Sequence, residues 1–354
     1  VRLVFVAFVV ACAPSPSSPL QAKTAWPLEV PLAGAFGRYA ADVDIGGDAF
    51  ALSIDTGSTL LAVSGTNCAA CDSDGTSAFY QPRRNAKPLN VVLDSRYDEG
   101  QAGWRGSAFV DRVSIAGVGA EIPVFAMSSE VGMVAAVGVV RADGILGMKG
   151  GRGSWIDAIV KTGMPDEFAI HKCDVNGTLW LGGAPAGSAS FVAATPEYGV
   201  ALHAIDIGSA HVELPPDTTA VVDSGVAGLV VPPAAYDAIT AELDQDYVFG
   251  GWFGSAAAWF DAGDCVPMLV PELLDRLPPI TLVLDGITLT IPAKQAYAMP
   301  TDDEQVCPTL AARGSYVALG DVVMRTATVI FDRARHRIGF APPTPCNDAD
   351  RAGV

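Results

Sequence analysis

Two short segments of this sequence carry an acidic side chain in matching surroundings. Ile54-Asp55-Thr56-Gly57-Ser58-Thr59-Leu60-Leu61-Ala62-Val63 is echoed by Val222-Asp223-Ser224-Gly225-Val226-Ala227-Gly228-Leu229-Val230-Val231. Each reads as an apolar strand, an Asp, a small hydroxyl residue, a Gly and a second apolar strand. Two carboxyls held close together cannot both ionise easily, so they share a proton and their titrations move apart. One can then take a proton from water while the other donates to a carbonyl oxygen. That chemistry hydrolyses an unactivated amide without a metal or a covalent nucleophile.

The neighbours of each Asp suit the task. Thr56 and Ser224 offer hydroxyls able to lock two opposing loops together. Gly57 and Gly225 let backbone amides approach the carboxylates closely. Ser58 can hydrogen-bond the outer oxygen of Asp55 and help to keep one carboxyl charged. A lone Asp-Thr-Gly is usually just a turn. Here two copies occur, each followed at a similar distance by a Leu-Gly element, Gly144-Ile145-Leu146-Gly147 and Val317-Ala318-Leu319-Gly320. Two similar half-molecules are the natural reading.

The elements that must position these residues are mostly strands. The chain has 354 residues, 50% of them apolar, with 37 Gly and 25 Pro. Short apolar runs broken by Gly, Pro, Asp and Asn predict an all-β architecture, and the length suits two lobes. Tyr39–Ile45 leads through a Gly-Gly-Asp turn into Phe50–Ile54. Asn176-Gly177 and Asp285-Gly286 each stand between apolar runs and predict hairpin turns. Helical spacing is confined to Trp155–Val160, ending near Gly163, and to Pro233–Leu243. The boundaries predicted are a leader over residues 1–26, an N-terminal lobe over 27–188, a C-terminal lobe over 189–346 and a tail over 347–354.

The formal net charge of −17 leaves no basic patch for phosphate, so no nucleic-acid partner is expected. His171, His203, His211 and His336 are scattered without a His-Glu-x-x-His, and no Gly-x-Ser-x-Gly occurs. A zinc protease and a serine-hydrolase elbow are therefore disfavoured, and no metal or other cofactor is expected. Residues 3–13 have the length of a signal-peptide core and predict export, to a secreted, periplasmic or acidic vacuolar location. Ala11-Cys12-Ala13 has the form of a cleavage site, whereas Val9-Val10-Ala11-Cys12 resembles a lipobox, so membrane attachment is expected only if Cys12 is lipidated. Six further cysteines, an even number, suggest disulfides in an exported chain. Cys68-x-x-Cys71 could instead be a redox or zinc pair, but it lacks a second such pair and a nearby His.

With these residues in view, the chain from about Tyr39 to Pro343 resembles the pepsin family of aspartic proteases. Asp55-Thr56-Gly57-Ser58 is similar to the first catalytic loop, Asp143–Gly147 to the strand that backs it, and Asp223-Ser224-Gly225 to the second loop. Leu319–Arg325, continuing through Val329–Ala334 to Ile338–Ala341, is especially close to the family's C-terminal run. The resemblance implies a bilobal all-β acid protease fold, with a central cleft, a shared interdomain sheet and a hairpin flap whose Tyr is Tyr97. It implies catalytic roles for Asp55 and Asp223, a polypeptide substrate with apolar or aromatic side chains around the cut bond, and a monomer. By the same analogy the disulfides are Cys68–Cys71, Cys265–Cys307 and Cys173–Cys346. The interval between the leader and Tyr39 is not expected to hold the family's long basic prosegment. Val226 stands where the second loop usually carries Thr or Ser, and Ala62 where many members have a Trp that partners the flap Tyr. These departures imply a shifted pH optimum and a looser flap. They keep open a second reading, a catalytically impaired binding or inhibitor protein of the same fold.

Overall fold

The computed structural model describes residues 25–35, 38–68, 70–71, 78–97, 102–131, 142–267, 271–300, 305–314 and 316–346. The leader with Cys12, the residues following Tyr97 as far as Gln101, and the tail lie outside the described residues. Strand makes up half of the described chain and far outweighs helix, as the apolar alternation and turn residues predict.

The larger sheet has thirteen strands. At its centre Asp48–Asp55 runs parallel to Gly144–Gly147, which pairs antiparallel with Leu61–Ser64. Leu61–Ser64 continues parallel to Val118–Val131, and the sheet ends in Ala102–Ile115 and Lys87–Tyr97. On the other side it passes through Arg38–Ile45, Leu28–Ala35, Asn176–Leu181 and Glu167–Lys172 to three strands from late in the chain: Thr328–Asp332, Arg337–Ala341 and Ser190–Ala193. The two halves of the sequence are therefore joined by backbone hydrogen bonds, with Val329 opposite Ile170 and Phe331 opposite Phe168.

The second sheet repeats the central pattern of the first. Thr219–Val222 runs parallel to Ala318–Leu319, which pairs antiparallel with Leu229–Val231, and that strand runs parallel to Leu310–Ala312. Each Asp thus ends a strand whose parallel neighbour is the Leu-Gly element read from the sequence. The glycines of those elements are required by close approach. A Cβ on Gly147 would lie 2.6 Å from Ser58 O, and one on Gly320 would lie 2.2 Å from Val226 O.

Between the sheets the core is aromatic. Phe168 and Phe331 stack at 4.5 Å, and Tyr198 meets Phe331 edge-on at 4.9 Å. Tyr198 also donates its hydroxyl to Met148 O at 2.9 Å, while its carbonyl accepts from Val222 N at 3.0 Å. One buried residue therefore ties the backbone behind both Asp loops, through its hydroxyl on one side and its carbonyl on the other.

Both predicted helices form, at Trp155–Val160 and Pro233–Leu243, burying Ile156 and Ile159 in the first and Tyr236, Ile239 and Leu243 in the second. Two further helices, Tyr247–Phe253 and Ala256–Ala262, follow, capped by Ser255 and ended by Gly263 in the left-handed conformation. Asp285-Gly286 is a hairpin turn between Leu284 and Ile287, as predicted. Asn176-Gly177 is not one. It lies inside the second strand, with Gly177 opposite Lys172, and the turn falls at Cys173–Val175. Gly177 serves close packing instead, because a Cβ there would lie 2.7 Å from His171 O. Among the described residues no helix is long and apolar enough to cross a membrane.

Candidate active site

The two Asp loops interlock through four hydrogen bonds. Thr56 N donates to Ser224 Oγ at 3.0 Å and Ser224 N to Thr56 Oγ1 at 2.9 Å. Each hydroxyl then donates across the interface, Thr56 to Val222 O at 2.8 Å and Ser224 to Ile54 O at 2.7 Å. All these groups are buried, so every bond that is lost leaves an unpaired polar atom behind. Ser224→Ala strips Thr56 N and Ile54 O of partners. It is expected to destabilise the chain by about 3 kcal/mol, read as a lower urea midpoint at unchanged slope. A loss within error of zero would mean that the interlock contributes nothing.

The interlock brings Asp55 and Asp223 face to face. Gly57 N donates to Asp55 Oδ1 at 2.7 Å, and Gly225 N to Asp223 Oδ1 at 2.8 Å. Each Gly also lies against the other half's carboxylate: a Cβ on Gly57 would be 2.3 Å from Asp223 Oδ2, and one on Gly225 would be 2.7 Å from Asp55 Oδ1. Only Gly leaves that space. Both acids are largely buried, at 6% and 7% exposure.

This burial sets the electrostatics. Loss of solvent pushes Asp55 up to about 7, and the charge of Asp223 adds to it. Hydrogen bonds from Ser58 Oγ to Oδ2 and from Gly57 N oppose the shift without reversing it. The sequence reading gave Ser58 the task of keeping a carboxyl charged. In the structure Ser58 makes that bond, but desolvation and the facing Asp outweigh it, and the proton is held.

Behind the second loop lies a buried ion pair that the sequence reading did not single out. Lys172 Nζ contacts Asp321 Oδ1, with both side chains 1% exposed, and donates to Ser224 O at 3.1 Å. The ammonium lies 4.7 Å from the centre of the Tyr39 ring. Burial pushes Asp321 up to about 7 against the pull of Lys172. This Lys cements the carbonyl of a loop residue to the short helix Asp321–Thr326.

Tyr97 ends the strand Lys87–Tyr97, opposite Ala102 in an antiparallel hairpin. Ala62 does leave room, but that room is filled from the hairpin itself. Trp104, 3% exposed, packs with Ala62, Phe125 and Ile145, and its indole N–H donates to Tyr97 Oη at 3.3 Å. The looser Tyr expected from Ala62 is therefore not what the structure shows, because a Trp from the neighbouring strand holds the hydroxyl. Trp259 and Phe260 are core, with Trp259 packed on Phe249 and Phe253.

Asp143 immediately precedes the backing strand Gly144–Gly147 and has a structural role, accepting from Ala51 N at 2.9 Å and Ala78 N at 3.0 Å. A residue that sequence reasoning missed reaches the site from the other side: Tyr316 Oη donates to Asp223 Oδ2 at 2.8 Å. The six described cysteines pair as Cys68–Cys71, Cys173–Cys346 and Cys265–Cys307. Among the described residues one group has its possible ligand atoms within 4.8 Å, His171, Cys173 and Cys346, but its two sulfurs are bonded to each other and offer no thiolate.

Comparison with known proteins accords with this geometry. A family model described as eukaryotic aspartyl protease matches residues 38–159, and one described as xylanase inhibitor C-terminal matches residues 197–342. Pepsin-2B of Gadus morhua is 24% identical over 319 residues, covering 83% of this chain and 92% of its own. An aspartic protease of Phaffia rhodozyma is 23% identical over 328 residues, covering 87% and 77%. Cathepsin E of Oryctolagus cuniculus is 27% identical over 171 residues, and the match spans 45% of this chain and only 39% of that protein. The duplicated strand pattern, the sheet shared by the two halves and these likenesses agree: the chain is similar to the pepsin-like aspartic proteases through both halves, with the all-β fold of that family.

Proposed function

We propose that this chain is an aspartic endopeptidase that hydrolyses peptide bonds of polypeptides with a water held between Asp55 and Asp223. The observation that carries the reading is the apposition of two buried carboxyls, each cradled by the other half's Gly and together holding a proton near neutral pH. With that proton on Asp55, Asp223 takes a proton from water as the oxygen attacks the carbonyl carbon, and Asp55 gives its proton to the carbonyl oxygen. The diol then collapses. Asp223 returns its proton to the departing nitrogen, Asp55 recovers one from a hydroxyl, and the C–N bond breaks with the pair reset. Tyr97, held by Trp104, covers the reacting bond from the hairpin.

The scheme works only while the pair holds one proton. Activity is therefore expected at acid pH and should fall as pH rises through about 7, where Asp55 loses its proton. Digestion of a denatured protein from pH 3 to pH 8, with and without pepstatin, tests this. Pepstatin-sensitive cleavage that declines above neutrality is the expected result, and no cleavage anywhere in the range would sink the reading.

A second reading has one observation in its favour: residues 197–342 match the xylanase inhibitor C-terminal description. On that reading the same fold binds a partner protein and does not cut. The digestion separates the two. The three disulfides fit an oxidising, extracytoplasmic compartment.

A further inference from the structure

The two Asp loops are built alike except at one hydrogen bond. In the first, the residue three after the Asp is Ser58, and its hydroxyl donates to the outer oxygen, Oδ2, of Asp55. In the second, the residue three after the Asp is Val226, which has no donor. The backbones correspond: the carbonyls of Ser58 and Val226 both lie against the Gly of a Leu-Gly element, 2.6 Å and 2.2 Å from where a Cβ would stand. Both Asp residues have Oδ1 bonded to the amide two residues on. By this correspondence Asp223 Oδ2 lacks a hydroxyl from its own loop, and Tyr316 supplies one at 2.8 Å.

Tyr316 is placed for this by a tight turn. Tyr316 N bonds to Arg313 O at 3.0 Å, with Gly314 at φ 50°. The chain then enters Ala318–Leu319, whose flanking carbonyls hold the strand leading to Asp223: Val317 O accepts from Val221 N at 2.9 Å and Leu319 O from Asp223 N at 3.0 Å. The phenol is thus fixed to the same short strand as the carboxylate it touches. The residue remains 42% exposed, so the contact is not a by-product of core packing.

We propose that Tyr316 is a positioning residue that replaces the missing hydroxyl of the second loop, holding the outer oxygen of Asp223 and favouring the ionised state of the pair. This rests on the endopeptidase reading for its kinetic consequence, though not for the bond itself. The titratable groups around Asp223 are Asp55 on the facing loop, Tyr316 on the turn and, behind the Ser224 loop, the Lys172–Asp321 pair. Of these, Asp55 and Asp321 are pushed up to about 7, and neither is itself replaced in the variants below. A hydrogen bond donated to a carboxylate lowers the pH at which that carboxylate is protonated.

The test has a kinetic and a spectroscopic arm. Tyr316→Phe keeps the ring and removes the donor. The acid limb of its kcat/KM profile should move up by about one pH unit, with KM changed less than kcat at the acid end. Val226→Thr in the Tyr316→Phe background restores a hydroxyl at the place equivalent to Ser58 and should move the limb back. An acid limb unmoved in Tyr316→Phe, or one that Val226→Thr leaves displaced, overturns the proposal while leaving the protease reading intact. The spectroscopic arm needs no turnover. With ring-labelled tyrosine, the Tyr316 Cζ resonance should shift as the carboxyl pair takes up its last proton, and that shift should vanish in Asp223→Asn. A resonance indifferent to the pair's protonation overturns the assignment even in a chain that cuts nothing. Absence of cleavage with the shift present sinks only the enzymatic reading.

Discussion

Asp223→Asn lowers kcat by about 10²- to 10⁴-fold on any polypeptide the chain cleaves, and Asp55→Asn does the same. The magnitude follows from what each carboxyl does, because removal of a positioned acid or base from a hydrolysis forfeits roughly that factor. Asn is nearly isosteric and its carbonyl still accepts from Gly225 N, so the interlock of Thr56 and Ser224 is untouched. The loss should therefore fall on kcat, with KM changed little and the melting temperature preserved. Glu121→Gln, which alters an exposed acid far from the loops, should leave turnover unchanged. If either Asp variant retained more than about a tenth of wild-type turnover, against the range expected for a general acid or base, that carboxyl would not be part of the machinery.

Lys172→Met is expected to be the most damaging single change outside the Asp loops. Methionine fills the space of the stem, but Asp321 loses its cation and Ser224 O loses a donor, both at 2% exposure or less. Removal of one partner from a buried pair costs about 3–5 kcal/mol. The cost should depend on pH in a definite sense. Asp321 is held up at about 7 even with Lys172 present. Below that pH the carboxyl of the variant takes up a proton and the uncompensated charge disappears. Above that pH the wild-type carboxyl ionises against Lys172, whereas in the variant, without the lysine that lowers it, the carboxyl holds its proton to higher pH, so the stability deficit widens above 7. Urea unfolding at pH 5 and pH 7.5 should show the larger loss at pH 7.5. An equal loss at both would mean that Asp321 is already ionised, or neutral, throughout.

The same sign applies to the wild-type chain. Asp55 and Asp321 both have raised folded-state values, so each contributes stability at acid pH that is lost as pH rises through about 7. Asp157 and Asp332, paired with arginines, are lowered and contribute in the opposite sense, above the ordinary carboxylate range.

The sequence made the centre of the molecule legible because that centre is duplicated. Two Asp residues in equal apolar frames, each with a later Leu-Gly, are a pattern that local propensity does not produce. The structure explains it through parallel pairing of Ile54 with Leu146 and Val222 with Leu319. What the sequence hid is held by contacts across long stretches of chain. Lys172 looks like the polar end of an apolar strand and becomes a buried cation only because Asp321, from the far half, closes over it. Ala62 reads as a lost partner for Tyr97, yet the space it leaves is taken by Trp104, from the strand Ala102–Ile115. Asn176-Gly177 misled for a related reason, since close packing on His171 claimed the Gly before a turn could. For Tyr316 a clue existed. Val226 deprives one carboxylate of a donor, and a buried oxygen without a partner calls for another from elsewhere.

The sharing of a proton between Asp55 and Asp223 underlies the whole mechanism, and it can be watched directly by carbon-13 NMR of aspartate side-chain carboxyls across pH 2 to 9. The two resonances should titrate in two well-separated steps, the upper near 7, and Asp223→Asn should leave Asp55 with a single step at lower pH. Two resonances that titrate together near 4, indifferent to each other's replacement, would contradict the account.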